Sequence, residues 1–434
     1  MSQGMHPVSG CSPTGHPKMR TAWLPTALLT AALVVSQFSL VGCSSRGSAR
    51  AKPMKGDSST ANLAQRTGTV VAFAPSKADP PAVQWTKTFT GDGEAWGCCV
   101  EQITDGGYLV AGETDIGLNI KLLLVKTNSN GDPVWTRTLG DGIHQPTEAF
   151  AAQQTADGGY IVGANGVLTH REDRNVWLVK LARQGNLIWQ NELSNDVSPY
   201  GDVTGRAVVQ TSDGGYAVTA NSTLSDSALI LFKTDSLGNR QWFKRFPMRI
   251  DWGTYDMFPL RQTLDGGYII GTRTLLKVDS LGNQQWLQTF DDVVCANSVL
   301  QTPDGGYAAT GPASDHSNAY LLKVRVDGSP EWIVPRLAGD TKSEGCWLEQ
   351  AADGGFAVAG SYRGPEERSI ACVSRLDASG VHVWMDSLCI GAATCVRQTR
   401  DGGYIVAGGQ YVPPPPLYGT HYLFLTKLAP ERKR

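Results

Sequence analysis

Asp-Gly-Gly followed by an aromatic residue is written seven times in this chain, at Asp105, Asp157, Asp213, Asp265, Asp304, Asp353 and Asp401. The aromatic is Tyr in every copy but one, where it is Phe356. An internal repeat of roughly 40–56 residues with strand-like flanks means that one supersecondary unit is copied along the chain. Each copy buries its faces against the next, as in a propeller or a solenoid.

Fixed and variable spacings divide each copy into rigid and free parts. A Gln stands three residues before each Asp: Gln102, Gln154, Gln210, Gln262, Gln301, Gln350 and Gln398. A basic residue follows an apolar run later in each copy: Lys126, Lys180, Lys233, Lys277, Lys323, Arg375 and Lys427. Nine residues beyond the first six of these comes Trp: Trp135, Trp189, Trp242, Trp286, Trp332 and Trp384. The distance from Asp to the basic residue drifts from 12 to 26, and that from Trp to the next Gln from 14 to 21. Constant spacing marks tight turns in fixed register, because a one-residue slip would turn every side chain to the other face. Variable spacing marks exposed loops, where insertions cost little.

The local chemistry gives four strands per copy. A short strand carries Val208-Val209-Gln210; the Asp-Gly-Gly turn follows, its paired glycines suiting a hairpin with positive φ at the central residues. The second strand opens on the aromatic, as in Tyr404-Ile405-Val406. The third is an apolar run such as Trp177-Leu178-Val179. A Gly-Asn turn, as at Gly238-Asn239, leads into the Trp-bearing fourth. Seven copies of four antiparallel strands predict an all-β, seven-bladed β-propeller. Val83 to Phe89, with Trp85, is a fourth strand lacking its first three, and the last copy lacks a fourth. The N-terminal strand 83–89 is therefore expected to complete the last blade and close the ring, removing an open edge.

These boxes resemble those of secreted bacterial and archaeal propeller repeats carrying Gly-Gly-Tyr. More distantly, the unit is similar to the propellers of quinoprotein dehydrogenases, whose outer strands dock Trp between blades. The resemblance covers about residues 83–428 and implies a fold shared by binding modules, scaffolds and enzymes alike.

The organisation expected is a leader over 1–43, a flexible tether over 44–82, the propeller over 83–428 and a tail over 429–434. Residues 21–41 carry no charge and follow Met19-Arg20, so a start at Met19 would give the better leader. The stretch ends Leu40-Val41-Gly42-Cys43-Ser44, which resembles a bacterial lipobox. Cleavage there would leave Cys43 as a diacylated N-terminus at the cell envelope, on the outer membrane or cell surface; a membrane-spanning segment is the competing reading. A formal net charge of −2 supplies no basic field for nucleic acid.

Of nine cysteines, Cys11 falls in the leader and Cys43 would carry lipid. Cys98 and Cys346 share one register and Cys99 and Cys395 the next, so disulfides among these four are candidates. Adjacent Cys98 and Cys99 either close a vicinal ring or face opposite sides of a strand, one of them pairing with Cys395 or Cys346. The quinoprotein resemblance would stack a vicinal ring on a cofactor. Those enzymes, however, have eight Trp-bearing repeats, and no Glu-Asn-Asp constellation for Ca²⁺ is seen here. No Cys-x-x-Cys and no His-x-His or His-Glu-x-x-His occurs, so neither metal nor cofactor is expected.

The two constant turns share one face of the disc, and the variable loops share the other. Function usually sits on variable loops held by a rigid scaffold. The ligand-binding candidates on that face are Trp96, Tyr200, Asp251, Trp252, Tyr255 and His316, with acids such as Glu94, Glu113, Asp115 and Glu344 nearby. Scattered acids with aromatics suit a sugar or a cationic peptide. The expected activity is therefore non-catalytic binding or scaffolding of a protein or glycan by a monomeric head. The alternative is an exported enzyme, either a glycan-acting hydrolase or lyase or a quinoprotein-like oxidoreductase. The recurrent Asp, Gln, Lys and Trp read as framework.

Overall fold

The computed structural model describes residues 69–431, except 73–75, 91–92, 116–119, 141–144, 168–173, 195–196, 198–202, 223–227, 248–256, 291–292, 314–317, 339–341 and 413–419. Those residues form an all-β structure of antiparallel sheets, most of them four-stranded. The repeat reads directly onto it. The first set of four strands runs from Glu94–Gln102 to Pro133–Leu139, the second from Pro146–Gln154 to Leu187–Glu192, and the third from Val203–Gln210 to Arg240–Pro247. The fourth runs from Leu260–Gln262 to Gln284–Thr289 and the fifth from Ser298–Gln301 to Pro330–Val334. The sixth begins at Ser343–Gln350. The last set ends on Thr420–Leu428, whose free edge pairs antiparallel with Val83–Phe89.

Middle strands are covered on both faces by neighbouring sets, and their sequences are correspondingly apolar throughout. Every residue of Ala228–Thr234 is buried, whereas the outer strand Gln284–Thr289 alternates between half-buried and exposed.

The constant box is a polar lock, seen clearly in the fourth set. Gly266 has φ +80°, which glycine adopts without strain. Gly267 is needed for a different reason from the expected positive φ: a Cβ there would collide with the Val278 carbonyl. Asp265 accepts hydrogen bonds from Gly267 N at 3.0 Å and from Lys277 Nζ at 2.8 Å. Lys277 is itself buried, and its stem packs while its ammonium reaches the exposed carboxylate. The equivalent ion pair recurs in every set: Lys126–Asp105, Lys180–Asp157, Lys233–Asp213, Lys323–Asp304, Arg375–Asp353 and Lys427–Asp401.

Gln and Trp join set to set. Gln154 Oε1 accepts from Thr104 N of the preceding set at 2.8 Å, and Gln210, Gln262, Gln301 and Gln398 do the same for Ala156, Ser212, Leu264 and Ala352. Gln102 accepts from Arg400 N at 2.9 Å, so the last set meets the first. Gln350 has no such donor opposite it, because the residue at that register is Pro303, which carries no N–H. The Trp rings stand edge-on to the aromatic of the following box. Trp135 and Tyr160 have centroids 5.7 Å apart, and Trp85 and Tyr108 are 5.8 Å apart, which seats the N-terminal strand between the last and first sets.

Three features depart from the sequence reading. The outer strand of the sixth set continues unbroken into the first strand of the last as His382–Gln398, bending at Gly391 with φ +144°. This is the shortest of the Trp-to-Gln intervals, and it leaves no room for a loop. Within the stretch read as a tether, Thr69–Val70 pair parallel with Trp332 and Ile333, and Lys77 N and Ala78 N donate to Val383 O. Residues 69–71 thus run along the outer edge of the fifth set, and 77–78 along that of the sixth. Finally, Cys98, Cys99, Cys346 and Cys395 are free thiols, as are Cys295, Cys372 and Cys389, so none of the expected disulfides is formed. Cys98 and Cys99 do not face opposite sides: a β-bulge between Gly97 and Cys99 brings their sulfurs to 3.7 Å.

Candidate functional site

The first strand of each set runs from the variable-loop side to the Asp-Gly-Gly side, so its opening residues lie on the loop side. In the first set, hairpin register places Glu94 opposite Asp115 and Trp96 opposite Glu113. In the last set it places Tyr411 opposite His421. Contact between these two sets assembles an aromatic cluster. The Trp96 and His421 rings lie 4.7 Å apart at 30°, and Tyr411 lies 5.3 Å from His421. Gly409 lets the indole lie against the backbone, since a Cβ there would come within 2.8 Å of Trp96 Cδ1. Glu94 Oε2 stands 3.6 Å from His421 Nδ1. Burial lowers the His421 pKa, with Glu94 opposing it, so the imidazole is neutral at neutral pH. Trp96, Tyr411, His421 and Glu94 are all half-buried, with surface left to offer.

A half-buried acidic group adjoins this cluster. Burial, reinforced by Glu148, pushes the Glu113 carboxyl up to about 8. Glu113 is therefore protonated at neutral pH and can donate a hydrogen bond. Glu148 accepts from Arg174 Nη1 at 2.6 Å, and its pKa still rises because burial outweighs Arg174 and Arg206. Arg206 Nε donates to Asn221 Oδ1 at 2.9 Å. Farther round, Glu344 is also raised by burial. Chemically, the mouth offers a planar aromatic surface edged by carboxylate, with a neutral acid and an arginine-paired carboxylate close by.

Of the residues anticipated as ligand-binding, only Trp96 is placed here, and it stands within strand Glu94–Gln102 rather than on a loop. Tyr200, Asp251, Trp252, Tyr255 and His316 lie outside the described residues, as does Cys43. Glu148, Arg174, Arg206, Tyr411 and His421 were missed as site residues. One signal was available for part of this: Trp96, Glu148 and Glu344 all stand six residues before the repeat Gln, at the loop-side end of the first strand.

No protein-family model matches the chain, and no curated protein matches it in sequence. Similar solved structures exist. A protein of unknown function from Dyadobacter fermentans, 12% identical, covers 81% of this chain and 100% of its own with a TM-score of 0.50. A protein of unknown function from Bacteroides caccae is 14% identical over 71% of this chain and 99% of its own, with a TM-score of 0.45. Sqt1 from Chaetomium thermophilum is 10% identical over 82% of this chain and 100% of its own, with a TM-score of 0.47. At 12% identity the likeness to the Dyadobacter protein is one of fold alone.

Proposed function

We propose that the chain is a seven-bladed propeller, closed by Val83–Phe89 as the outer strand of its last blade, and that it is a lipid-anchored envelope protein. Its activity is non-catalytic: the loop-side mouth binds a basic segment of a protein partner. The observation that carries this is the half-exposed Trp96–His421–Tyr411 cluster with Glu94 on its rim. A lysine or arginine laid on the indole gains cation–π attraction, and the adjacent carboxylate supplies the countercharge. The lipobox-like run ending at Cys43 supports the anchor, and the contact of Arg400 with Gln102 supports closure.

Calorimetric titration of the detergent-solubilised chain tests the site, with lysine- and arginine-rich peptides set against acidic peptides and neutral oligosaccharides. Basic peptides are expected to bind, and Trp96→Ala or Glu94→Gln to weaken them at least tenfold. Preference for oligosaccharide or acidic peptide, or indifference to Trp96→Ala, defeats the reading. Cys43→Ser should move the protein out of the detergent phase; unchanged partition speaks for a membrane span instead.

One observation favours a catalytic second reading. A protonated Glu113 beside Glu148, which accepts from Arg174, has the makings of an acid and base pair, as glycan hydrolysis requires. Hydrolysis of a glycan library that disappears in Glu113→Gln would establish it.

A further inference from the structure

The residue just before each repeat Gln occupies one register near the Asp-Gly-Gly end of the first strands. It reads Glu101, Gln153, Val209, Arg261, Leu300, Glu349 and Arg397 in the seven sets. The backbone position is constant and the side chain is not, unlike the Asp, Lys and Gln of the lock. These side chains meet across the molecule. Arg261 Cζ lies 5.1 Å from the centre of the Trp347 ring, although one belongs to the fourth set and the other to the sixth. Arg397, from the last set, places its Cζ 4.6 Å from the same ring. Contacts that skip a set require the first strands to converge on a common axis.

Donors outnumber acceptors in this axial cluster. Arg397 Nη1 donates to Glu349 Oε2 at 2.9 Å, and Glu101 Oε2 accepts from Gln154 N at 2.6 Å. Arg397 Nε and Trp347 Nε1 are buried and have no acceptor among the described residues. Arg261 donates to the Leu260 carbonyl at 2.9 Å, and among the described residues no carboxylate lies within ion-pair reach of it. A guanidinium has five N–H donors, so most of Arg261 remains to be used. Burial, followed by repulsion from Arg397, brings the Arg261 pKa down to about 10. The cluster is nonetheless reachable: the Arg397 and Glu349 side chains keep 29% and 20% of their surface accessible.

We propose that this end of the axial channel is an oxyanion-binding site, where a carboxylate or phosphate accepts hydrogen bonds from Arg261, Arg397 Nε and the Trp347 indole N–H. Planar guanidinium forks suit two-oxygen acceptors, and the site removes the cost of leaving buried donors unmade. It is distinct from the loop-side mouth. At about 3.3 Å per residue, Glu101 stands roughly 23 Å along the strand from Glu94.

The test uses the full chain in detergent, titrated calorimetrically and melted with inorganic phosphate or succinate against sodium chloride of equal ionic strength. At least one oxyanion is expected to bind and raise the melting temperature where chloride does not. Binding of phosphate alone, succinate alone or both tells which acceptor chemistry the site takes. Arg261→Gln should weaken binding at least tenfold. Trp347→Phe keeps the ring, removes the N–H and should weaken binding about tenfold. Glu94→Gln at the other mouth should leave it unchanged. Wild-type protein indifferent to both oxyanions overturns the proposal, as does binding undiminished in Arg261→Gln. If Arg261→Gln does not fold, undiminished binding in Trp347→Phe overturns it.

Discussion

The Asp-Gly-Gly side and the loop side of this molecule handle buried polar groups in opposite ways. On the first, each buried lysine meets its own carboxylate, and five of the seven Asp are held three ways; Asp105 and Asp353 lack the hydroxyl, since Ile103 and Ala351 stand where the others have Thr. Burial alone would raise Asp265, yet the Lys277 ammonium, the Thr263 hydroxyl and Gly267 N–H outweigh it and hold the pKa at about 2. On the loop side, Glu113 has no hydrogen-bond or ion-pair partner among the described residues, and burial drives it to about 8. The first arrangement is copied around the molecule; the second is not, and the two carboxyls that show it, Glu113 and Glu344, occupy different registers. A polar group that recurs with its partner in fixed register serves the framework. One that is buried without a partner costs stability and calls for a role beyond it.

The harshest test of the framework is to remove a strand. A chain lacking Val83–Phe89 loses its antiparallel pairing with Thr420–Leu428 and the edge-on contact of Trp85 with Tyr108. The exposed strand edge is expected to cause aggregation and loss of a cooperative melt. A monomeric protein with an unchanged melting temperature, by sedimentation and calorimetry, would show that Val83–Phe89 is an appendage.

Two tryptophans sharpen the contrast one level down. Trp384 is 1% exposed and stands 5.8 Å from Tyr404, where the sixth and last sets meet. Trp384→Ala should cost about 3–5 kcal/mol in denaturant unfolding. Trp96 is half-buried at the mouth, and its replacement should cost clearly less while abolishing peptide binding. Equal losses of stability from both would erase the distinction between framework and site.

The same distinction governs what could be read in the sequence. Recurrence marks Asp, Gln, Lys and Trp as framework, and the pairing of Val83–Phe89 with the last strand follows from a fourth strand without its first three; that each Asp meets the Lys of its own set is not legible, because the spacing between them drifts. The joining of Trp96 with His421 could not be read this way. They sit in different sets, 325 residues apart, and meet only because the last set lies against the first. The sequence leaves the vicinal and the opposed arrangement of Cys98 and Cys99 both open, since strict alternation separates neighbours and a bulge reunites them. The unbroken strand His382–Gln398 did leave a trace, in the shortest of the Trp-to-Gln intervals.

Titration should expose the contrast with opposite signs. The folded pKa of Glu113 lies above its unfolded value of about 4.3, so the native state binds the extra proton between roughly pH 4 and 8. Its contribution to stability is therefore complete at low pH and lost as pH rises through about 8. Asp157, Asp213, Asp265 and Asp304 are held at about 2, so their contribution is present above about pH 4 and lost as pH falls toward 2. The stability difference between wild type and Glu113→Gln should change across pH 5 to 8, the variant gaining ground as pH rises. A constant difference would mean that Glu113 is ionised throughout.

The finest test lies inside the framework, where the chain has already omitted one bond. Gln210 accepts from Ala156 N of the preceding set at 2.9 Å and donates to Gly214 O of its own turn at 3.5 Å. Gln350 donates to Gly354 O at 3.2 Å, but Pro303 denies it the link to the preceding set. Truncation of either Gln removes the same side chain at the same register and the same bond within the turn. Only Gln210→Ala also strands a backbone N–H of the neighbouring set. It should therefore cost more than Gln350→Ala by the value of one hydrogen bond, about 0.5–1.5 kcal/mol. Ala156 is exposed, so water can take up part of the loss and the difference should fall in the lower half of that range. Denaturant unfolding of the two variants measures it directly. If Gln350→Ala costs as much as Gln210→Ala, the links between sets contribute nothing measurable. The sets would then be held together by packing and by their other polar contacts, such as Gly205 N with Asn165 Oδ1 at 2.8 Å.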